Sequence, residues 1–182
     1  MALLKILEFP NPKLRQRASE VKAFNDTLKT TCEDMLETMY DAKGIGLAAI
    51  QVNILKRIIV IDLSEEKNKP FVFINPEITK VSNDTKQHGE GCLSVPGIYE
   101  NVTRPNSLTA KYFDMDGNEH QLEADGLLSV CLQHEIDHLN GRVFVDHLSR
   151  LKQEKIIRKL QKEKKTIFSR GIKYEHRLCW FR

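Results

Sequence analysis

The sequence has no apolar run long enough to span a membrane, and Lys5 interrupts its first residues before any secretory-signal core forms. It also lacks internal repeats, low-complexity tracts and linkers rich in proline, glycine or serine. Only four cysteines occur in 182 residues, a length that buries a core without disulfide bonds. These absences predict one compact domain in a reducing cytoplasm, where cysteines stay as thiols or bind metals.

Acidic residues are scarce at the C-terminal end, where positive charge accumulates. Residues 150–182 contain 12 Lys/Arg and 3 Asp/Glu, a net +9, whereas residues 1–149 contain 16 and 22, a net −6. A basic arm on an acidic body favours an anionic partner such as nucleic acid. A solvated, lysine-rich helix is the simpler alternative.

Hydrophobic periodicity predicts helices at 28–40, 127–139 and 149–165, the second of them apolar on most sides and therefore buried. Runs rich in β-branched residues predict strands at 57–63, 71–74, 77–81, 107–113 and 119–122. This order indicates an α+β fold of mostly antiparallel sheets around a buried helix, with a C-terminal helix. We expect a single domain over residues 1–165 and a tail over 166–182.

The strongest local pattern is His134-Glu135-Ile136-Asp137-His138, an HExxH motif on the predicted buried helix. Residues four apart lie on the same helical face, so both imidazoles can reach one metal ion. Glu135 then lies close enough to act on water bound to that ion. Asp137 is expected either to orient a metal ligand or to lie exposed on the helix.

A catalytic metal site of this kind needs a third protein ligand. The downstream candidates Asp146, His147 and Glu154 match no extended metalloprotease pattern. Cys92, in Glu90-Gly91-Cys92-Leu93-Ser94, offers a soft thiolate beside a glycine that permits close backbone approach. A buried cysteine that only packs is the alternative.

A third segment, 44–51, reads Gly-Ile-Gly-Leu-Ala-Ala-Ile-Gln and places one polar residue in an apolar run. The side-chain amide of Gln51 is suited to donate a hydrogen bond to a developing oxyanion. A glutamine at a strand end that faces water explains the segment equally well.

Together these three segments resemble the peptide deformylase family, whose motifs GxGxAAxQ, EGCxS and HExDH occur here intact and in order. The similarity continues through 9–15 and 122–128 and covers roughly residues 3–165. Three short motifs in the right order are far more specific than any one of them.

The resemblance implies hydrolysis of the formyl group from formyl-methionyl nascent polypeptides by a metal-bound hydroxide. It implies Cys92, His134 and His138 as ligands of one ion, ferrous iron in the cell, with zinc, nickel or cobalt able to replace it. Glu135 then moves the protons. The Gln51 amide and the backbone N–H of Leu93 stabilise the oxyanion.

The methionine pocket is expected to be apolar. Residues three, four and seven positions before His134 share its helical face and either line this pocket or pack in the core. The expected substrate-binding residues are Ile45, Gly46, Gly91, Leu127, Val130 and Cys131. Ile98 and Tyr99 stand where some bacterial family members carry an arginine, so either side chain is a candidate substrate contact.

The resemblance also implies that the basic C-terminal helix docks a monomeric enzyme on the ribosome, through ribosomal RNA. Two other readings remain. One is an HExxH zinc endopeptidase, and the other is a non-catalytic, ribosome-associated member of the family. The presence of both Glu135 and Gln51 favours the enzyme.

Overall fold

A computed structural model describes residues 2–170, with side chains described to residue 162. This part of the chain folds into helices and antiparallel strands in the order α1 (Asp26–Asp41), β1 (Gly46–Ala48), β2 (Ile58–Ile61), β3 (Phe71–Val81), β4 (Thr85–Cys92), β5 (Val95–Pro105), β6 (Ser107–Phe113), β7 (Glu119–Asp125), α2 (Gly126–Leu139) and α3 (Arg150–Arg170). Short 3₁₀ turns lie at Pro12–Arg15, Ala49–Val52 and Phe144–His147.

The strands form two sheets. Five of them make one antiparallel sheet in the order β1-β2-β3-β6-β7, and β4 pairs with β5 in a separate antiparallel hairpin. With helices packed on these sheets, the predicted α+β class is confirmed.

Helix α2 is buried, as its apolar composition predicts. It starts directly after β7 and packs against β1 and β2 as well as β7. It ends before Gly141, whose φ of +76° suits glycine and whose N–H donates to the carbonyl of His138 at 3.0 Å. A Cβ on Gly141 would lie 2.5 Å from the backbone oxygen of Arg15. The N-terminal segment can therefore pack against the end of α2 only because residue 141 is glycine.

Apolar side chains collect in three clusters. One lies between α1 and the large sheet, and another lies between α2 and the same sheet. The third joins the β4–β5 hairpin to α3, where Ile156 and Leu160 share a cluster with Val95, Ile98 and Cys92. The last helix therefore supports the strands on both sides of the cysteine motif.

The sequence pattern missed the β4–β5 hairpin. Its outer part is polar and exposed over Thr85 to Gln87, so no apolar alternation marked it. The predicted strands 71–74 and 77–81 are one strand, β3, with register shifts after Ile74 and Ile78. Helix α1 begins at Asp26, two residues before the predicted start, and Asn25 caps it, because Asn25 Oδ1 accepts the N–H of Leu28 at 3.1 Å.

The final helix runs beyond the predicted 149–165. It extends over Arg150–Arg170, so residues 166–170 of the predicted tail are helical, and 171–182 lie outside the described residues. No helix in the described part of the chain is both long and apolar enough to cross a membrane.

Candidate active site

The structure brings the three predicted ligands together from two separate elements. Cys92 ends β4, while His134 and His138 lie one turn apart on α2. Their ligand atoms all lie within 4.8 Å of one another, and Cys92 Sγ is 3.2 Å from His138 Nε2. All three residues are buried. One thiolate and two imidazoles suit a divalent transition metal and leave a position open in a tetrahedral site.

Glu90 orients the first of these histidines. Its Oε2 lies 2.8 Å from His134 Nδ1. Burial by itself would raise the pKa of Glu90, but hydrogen bonds from His134 and Arg104 outweigh it and lower the pKa to about 2. An ionised carboxylate only accepts, so Nδ1 of His134 carries the proton and Nε2 faces the metal position.

Arg104, on β5, supplies the countercharge. Its Nε and Nη2 bind the two oxygens of Glu90 at 2.5 and 2.9 Å, and its Nη1 binds Asp137 at 2.9 Å. The arginine is 4% exposed, so two carboxylates hold one buried guanidinium. The sequence alone leaves open whether Arg104 pairs with an acidic residue near the site or lies at a strand end, because the strand that carries it was not predicted.

Asp137 lies on α2 between His134 and His138. Its Oδ2 binds Arg104 and also His147 Nε2, which lies 2.8 Å away. Burial opposes the charge of Asp137, yet these two contacts lower its pKa to about 2. A continuous path of hydrogen bonds therefore runs from His134 through Glu90, Arg104 and Asp137 to His147.

Glu135 faces the same space from α2 and is almost fully buried. Burial raises its pKa to about 7, with the charge of His134 acting in the opposite direction. Its Oε2 has no hydrogen-bond partner among the described residues. A Cβ on Gly46 would lie 2.6 Å from Glu135 Oε1 and 2.8 Å from Cys131 Sγ, so glycine at position 46 leaves room for this carboxylate. A carboxyl that titrates near neutrality is suited to proton transfer.

Gln51 is buried, so the alternative of a water-facing strand end is wrong. It lies in the 3₁₀ turn Ala49–Val52, and its Oε1 accepts the N–H of Ala48 at 2.7 Å. Its Nε2 lies 3.1 Å from Ser94 Oγ and 3.5 Å from Cys92 Sγ. Leu93 lies in the turn between Cys92 and Ser94, where a Cβ on Gly44 would be 2.7 Å from its Cδ1. The 44–51 and 90–94 segments are therefore in contact beside the ligands.

The predicted pocket residues differ in exposure. Val130 and Cys131 are fully buried, whereas Leu127 is 44% exposed at the start of α2, and Ile45 is partly buried. Of the two candidate substrate contacts that follow the second motif, Ile98 is in the core and Tyr99 is 41% exposed. The Tyr99 ring lies against Gly91, where an added Cβ would be 2.6 Å from Cε1.

Comparison with known proteins gives one consistent result. The family model described as polypeptide deformylase matches residues 3–154. Peptide deformylase of Pseudomonas aeruginosa is 56% identical over 163 residues, which is 90% of this chain and 97% of that protein. The crystal structure of a peptide deformylase from Legionella pneumophila has a TM-score of 0.86 at 46% identity, covering 91% of this chain and 97% of the other. That from Ehrlichia chaffeensis has a TM-score of 0.88 at 38% identity, with 92% and 99% covered.

Replacing Arg104 by methionine is expected to weaken metal binding as well as folding. The change leaves the Glu90 carboxylate buried with only the N–H of His134 as its partner among these groups, and breaking a buried pair typically costs about 3–5 kcal/mol of unfolding free energy. Because Glu90 then holds His134 less firmly, zinc affinity should fall by about 10- to 100-fold. Denaturant unfolding and competition with a chromophoric chelator measure the two effects.

The matched control is Lys29→Met, which breaks the exposed 2.6 Å contact with Asp116 and should change neither quantity. Adding Glu90→Gln to the Arg104 variant removes the stranded charge and should restore part of the stability. Unchanged zinc affinity in Arg104→Met would mean that the ion pair serves folding alone.

Proposed function

The chain belongs to the polypeptide deformylase family, and on that premise we propose that Cys92, His134 and His138 hold one divalent ion at which Glu135 moves the protons. As a member of the family it is a metal-dependent hydrolase that removes the N-formyl group from formyl-methionyl nascent peptides. The observation that carries the assignment of residues is the convergence of one thiol and two imidazoles beside a buried carboxyl.

The ion, when bound, would make water a nucleophile near neutral pH and polarise the formyl carbonyl. Glu135 accepts the proton of the attacking water and later gives it to the nitrogen of the leaving amine. The C–N bond breaks, and formate and the free N-terminal amine are the products. Burial raises the pKa of Glu135 to about 7, which favours a carboxyl that both accepts and releases a proton.

The negative charge that develops on the formyl oxygen needs donors in addition to the ion. We assign this role to Gln51 Nε2 and the backbone N–H of Leu93, which lie on the two segments that meet at Cys92. Removing one such donor typically costs about 2.7–4 kcal/mol of transition-state stabilisation.

The substrate pocket is proposed to lie on the face of α2 that carries His134. Val130, Cys131 and Ile45 would contact the methionine side chain, with Leu127 at the more exposed end. The glycines at 46 and 91 would let the peptide backbone approach. The formyl carbon bears only hydrogen, so a narrow site admits it and excludes larger acyl groups.

An HExxH endopeptidase would need a third metal ligand downstream of His138, and the candidate residues there contact other side chains instead. Asp146 binds Arg15, and His147 binds Asp137. Glu154 lies on α3 with Arg150 and Arg158 as its ion-pair partners. The position of Cys92 beside both imidazoles instead supports deformylase chemistry.

Helix α3 presents two different faces. Ile156 and Leu160 are buried against the body, whereas the side chains of Arg150 and Arg158 are 93% and 81% exposed. Lys152 forms an ion pair with Glu100 of β5, with 2.6 Å between Nζ and Oε2. We propose that the outer, basic face binds ribosomal RNA, and that the enzyme acts as a cytoplasmic monomer with residues 1–165 as its catalytic domain.

The direct test of the reaction is release of formate from formyl-Met-Ala-Ser. Glu135→Gln should lower kcat by about 10²- to 10⁴-fold, the usual contribution of general acid–base catalysis, because an amide cannot accept the water proton. It should keep its metal, whereas Cys92→Ala should lose it. If the wild type released formate no faster than Glu135→Gln, the proposed role would be disproved.

The proposed resident ion is ferrous iron. Protein purified without oxygen should contain about one iron per chain and lose activity in air, because a thiolate next to ferrous iron is open to oxidation. Nickel- or cobalt-loaded protein should remain active in air. Elemental analysis beside the formate assay measures both, and zinc as the only bound metal in anaerobic, active protein would contradict the proposal.

Ribosome binding is expected to depend on the exposed face of α3 and to weaken with added salt, since contacts to phosphate release counterions. Deleting the helix would remove Ile156 and Leu160 from the core, so substitutions are the cleaner test. The test variant replaces three exposed basic residues by serine: Arg150, Lys155 and Arg158. The control does the same to three exposed lysines of the body: Lys13, Lys22 and Lys86. Co-sedimentation should show loss of binding in the first variant alone, and equal loss in both would exclude a specific role for α3.

A further inference from the structure

The amide of Gln51 is held in one orientation by partners at both ends. Its oxygen accepts the N–H of Ala48, so its nitrogen must point the other way, toward Cys92 and Ser94. Rotating the amide by half a turn would set its NH₂ group against the N–H of Ala48. The side chain is therefore already oriented with its donor facing the metal ligands.

Ser94 accepts a hydrogen bond from one of the two hydrogens on that nitrogen. It is fully buried in the turn that follows Leu93, and its Oγ lies 3.1 Å from Gln51 Nε2. The two hydrogens of a planar amide diverge at a fixed angle, so binding one of them to Ser94 directs the other. Because Cys92 Sγ lies 3.5 Å from the same nitrogen, that second hydrogen is directed toward the metal ligands.

The backbones that carry these side chains are joined by the N-terminal segment. The N–H of Leu7 donates to the carbonyl of Gln51 at 2.7 Å, and the N–H of Phe9 donates to the carbonyl of Ser94 at 2.7 Å. One segment therefore fixes the distance between the 3₁₀ turn and the β4–β5 turn. The hydrogen bond between the two side chains spans a gap whose width is already set.

We propose that Ser94 is a positioning residue: its hydroxyl holds the Gln51 amide so that the second N–H, on the side of Cys92, points to where the oxyanion forms. The proposal rests on the donor role of Gln51 given above. Ser94 would touch neither the substrate nor the metal. Its effect would be on the rate of the chemical step, because without this acceptor the amide nitrogen has only the sulfur to hold its direction.

A double-mutant cycle on Ser94 and Gln51 tests this role. Ser94→Ala should lower kcat for formyl-Met-Ala-Ser by about tenfold, the loss expected for one buried neutral hydrogen bond, with KM and bound metal little changed. Gln51→Ala should lower kcat by about 100-fold. In the Gln51→Ala background, Ser94→Ala should cost nothing more, because no amide remains to be positioned.

Ser129→Ala is the matched control. Ser129 is also fully buried and accepts a glutamine amide, from Gln133 Nε2 at 3.0 Å, but that bond lies beside Pro105 and not at the ligands. This variant should keep the wild-type kcat. A second measurement needs no turnover: in metal-free protein, the Gln51 side-chain NH₂ should give two well-separated, slowly exchanging proton resonances that move together and broaden in Ser94→Ala.

Several results would overturn the inference. A Ser94→Ala enzyme with wild-type kcat would do so, as would an equal loss of kcat in both backgrounds, which would mark Ser94 as structural. Unaltered Gln51 resonances in Ser94→Ala would also contradict it. If Gln51→Ala kept the wild-type kcat, the donor role of Gln51 would be wrong, and the role of Ser94 would be wrong with it. If the wild-type protein released no formate, the proposed function itself would be contradicted.

Discussion

The rest of the site depends on the buried ion pair between Glu90 and Arg104. Both residues belong to the β4–β5 hairpin, and each also contacts α2, Glu90 through His134 and Arg104 through Asp137. A charged group that is removed from water must keep its partners, so the hairpin cannot shift along the helix without stranding a charge. Cys92, two residues after Glu90, is held beside the helix histidines by the same constraint.

This constraint also explains where glycine is needed. The 44–51 segment approaches α2 so closely that a side chain at Gly46 would displace Glu135. Within the hairpin itself, a side chain at Gly91 would displace the ring of Tyr99 on β5. Both positions lie in segments that sequence reasoning had already marked as functional. Close packing of backbone against functional side chains, not a special φ angle, is the reason for glycine at these two positions.

Sequence reasoning succeeded where a short-range rule sets the geometry. Helical spacing alone brings His134 and His138 to one face, and ligand chemistry singles out Cys92. It failed where the register between paired strands decides which groups meet. Nothing in the local sequence shows that Arg104 reaches Glu90, because that contact depends on how β4 pairs with β5 and β4 was not predicted. The burial of Gln51 was likewise undecided, since it depends on contacts with the N-terminal segment.

Electrostatics give an independent reason to expect a cation in this space. Glu90, Asp137 and Glu135 bring three carboxyl groups close to one buried guanidinium, that of Arg104. Burial disfavours the charged form of both imidazoles. The neighbouring Cys92 nevertheless raises the pKa of His134, whereas burial and the charge of His134 lower the pKa of His138. A divalent ion held by Cys92, His134 and His138 would bind a lone pair of each neutral ring and would offset the excess of carboxylates.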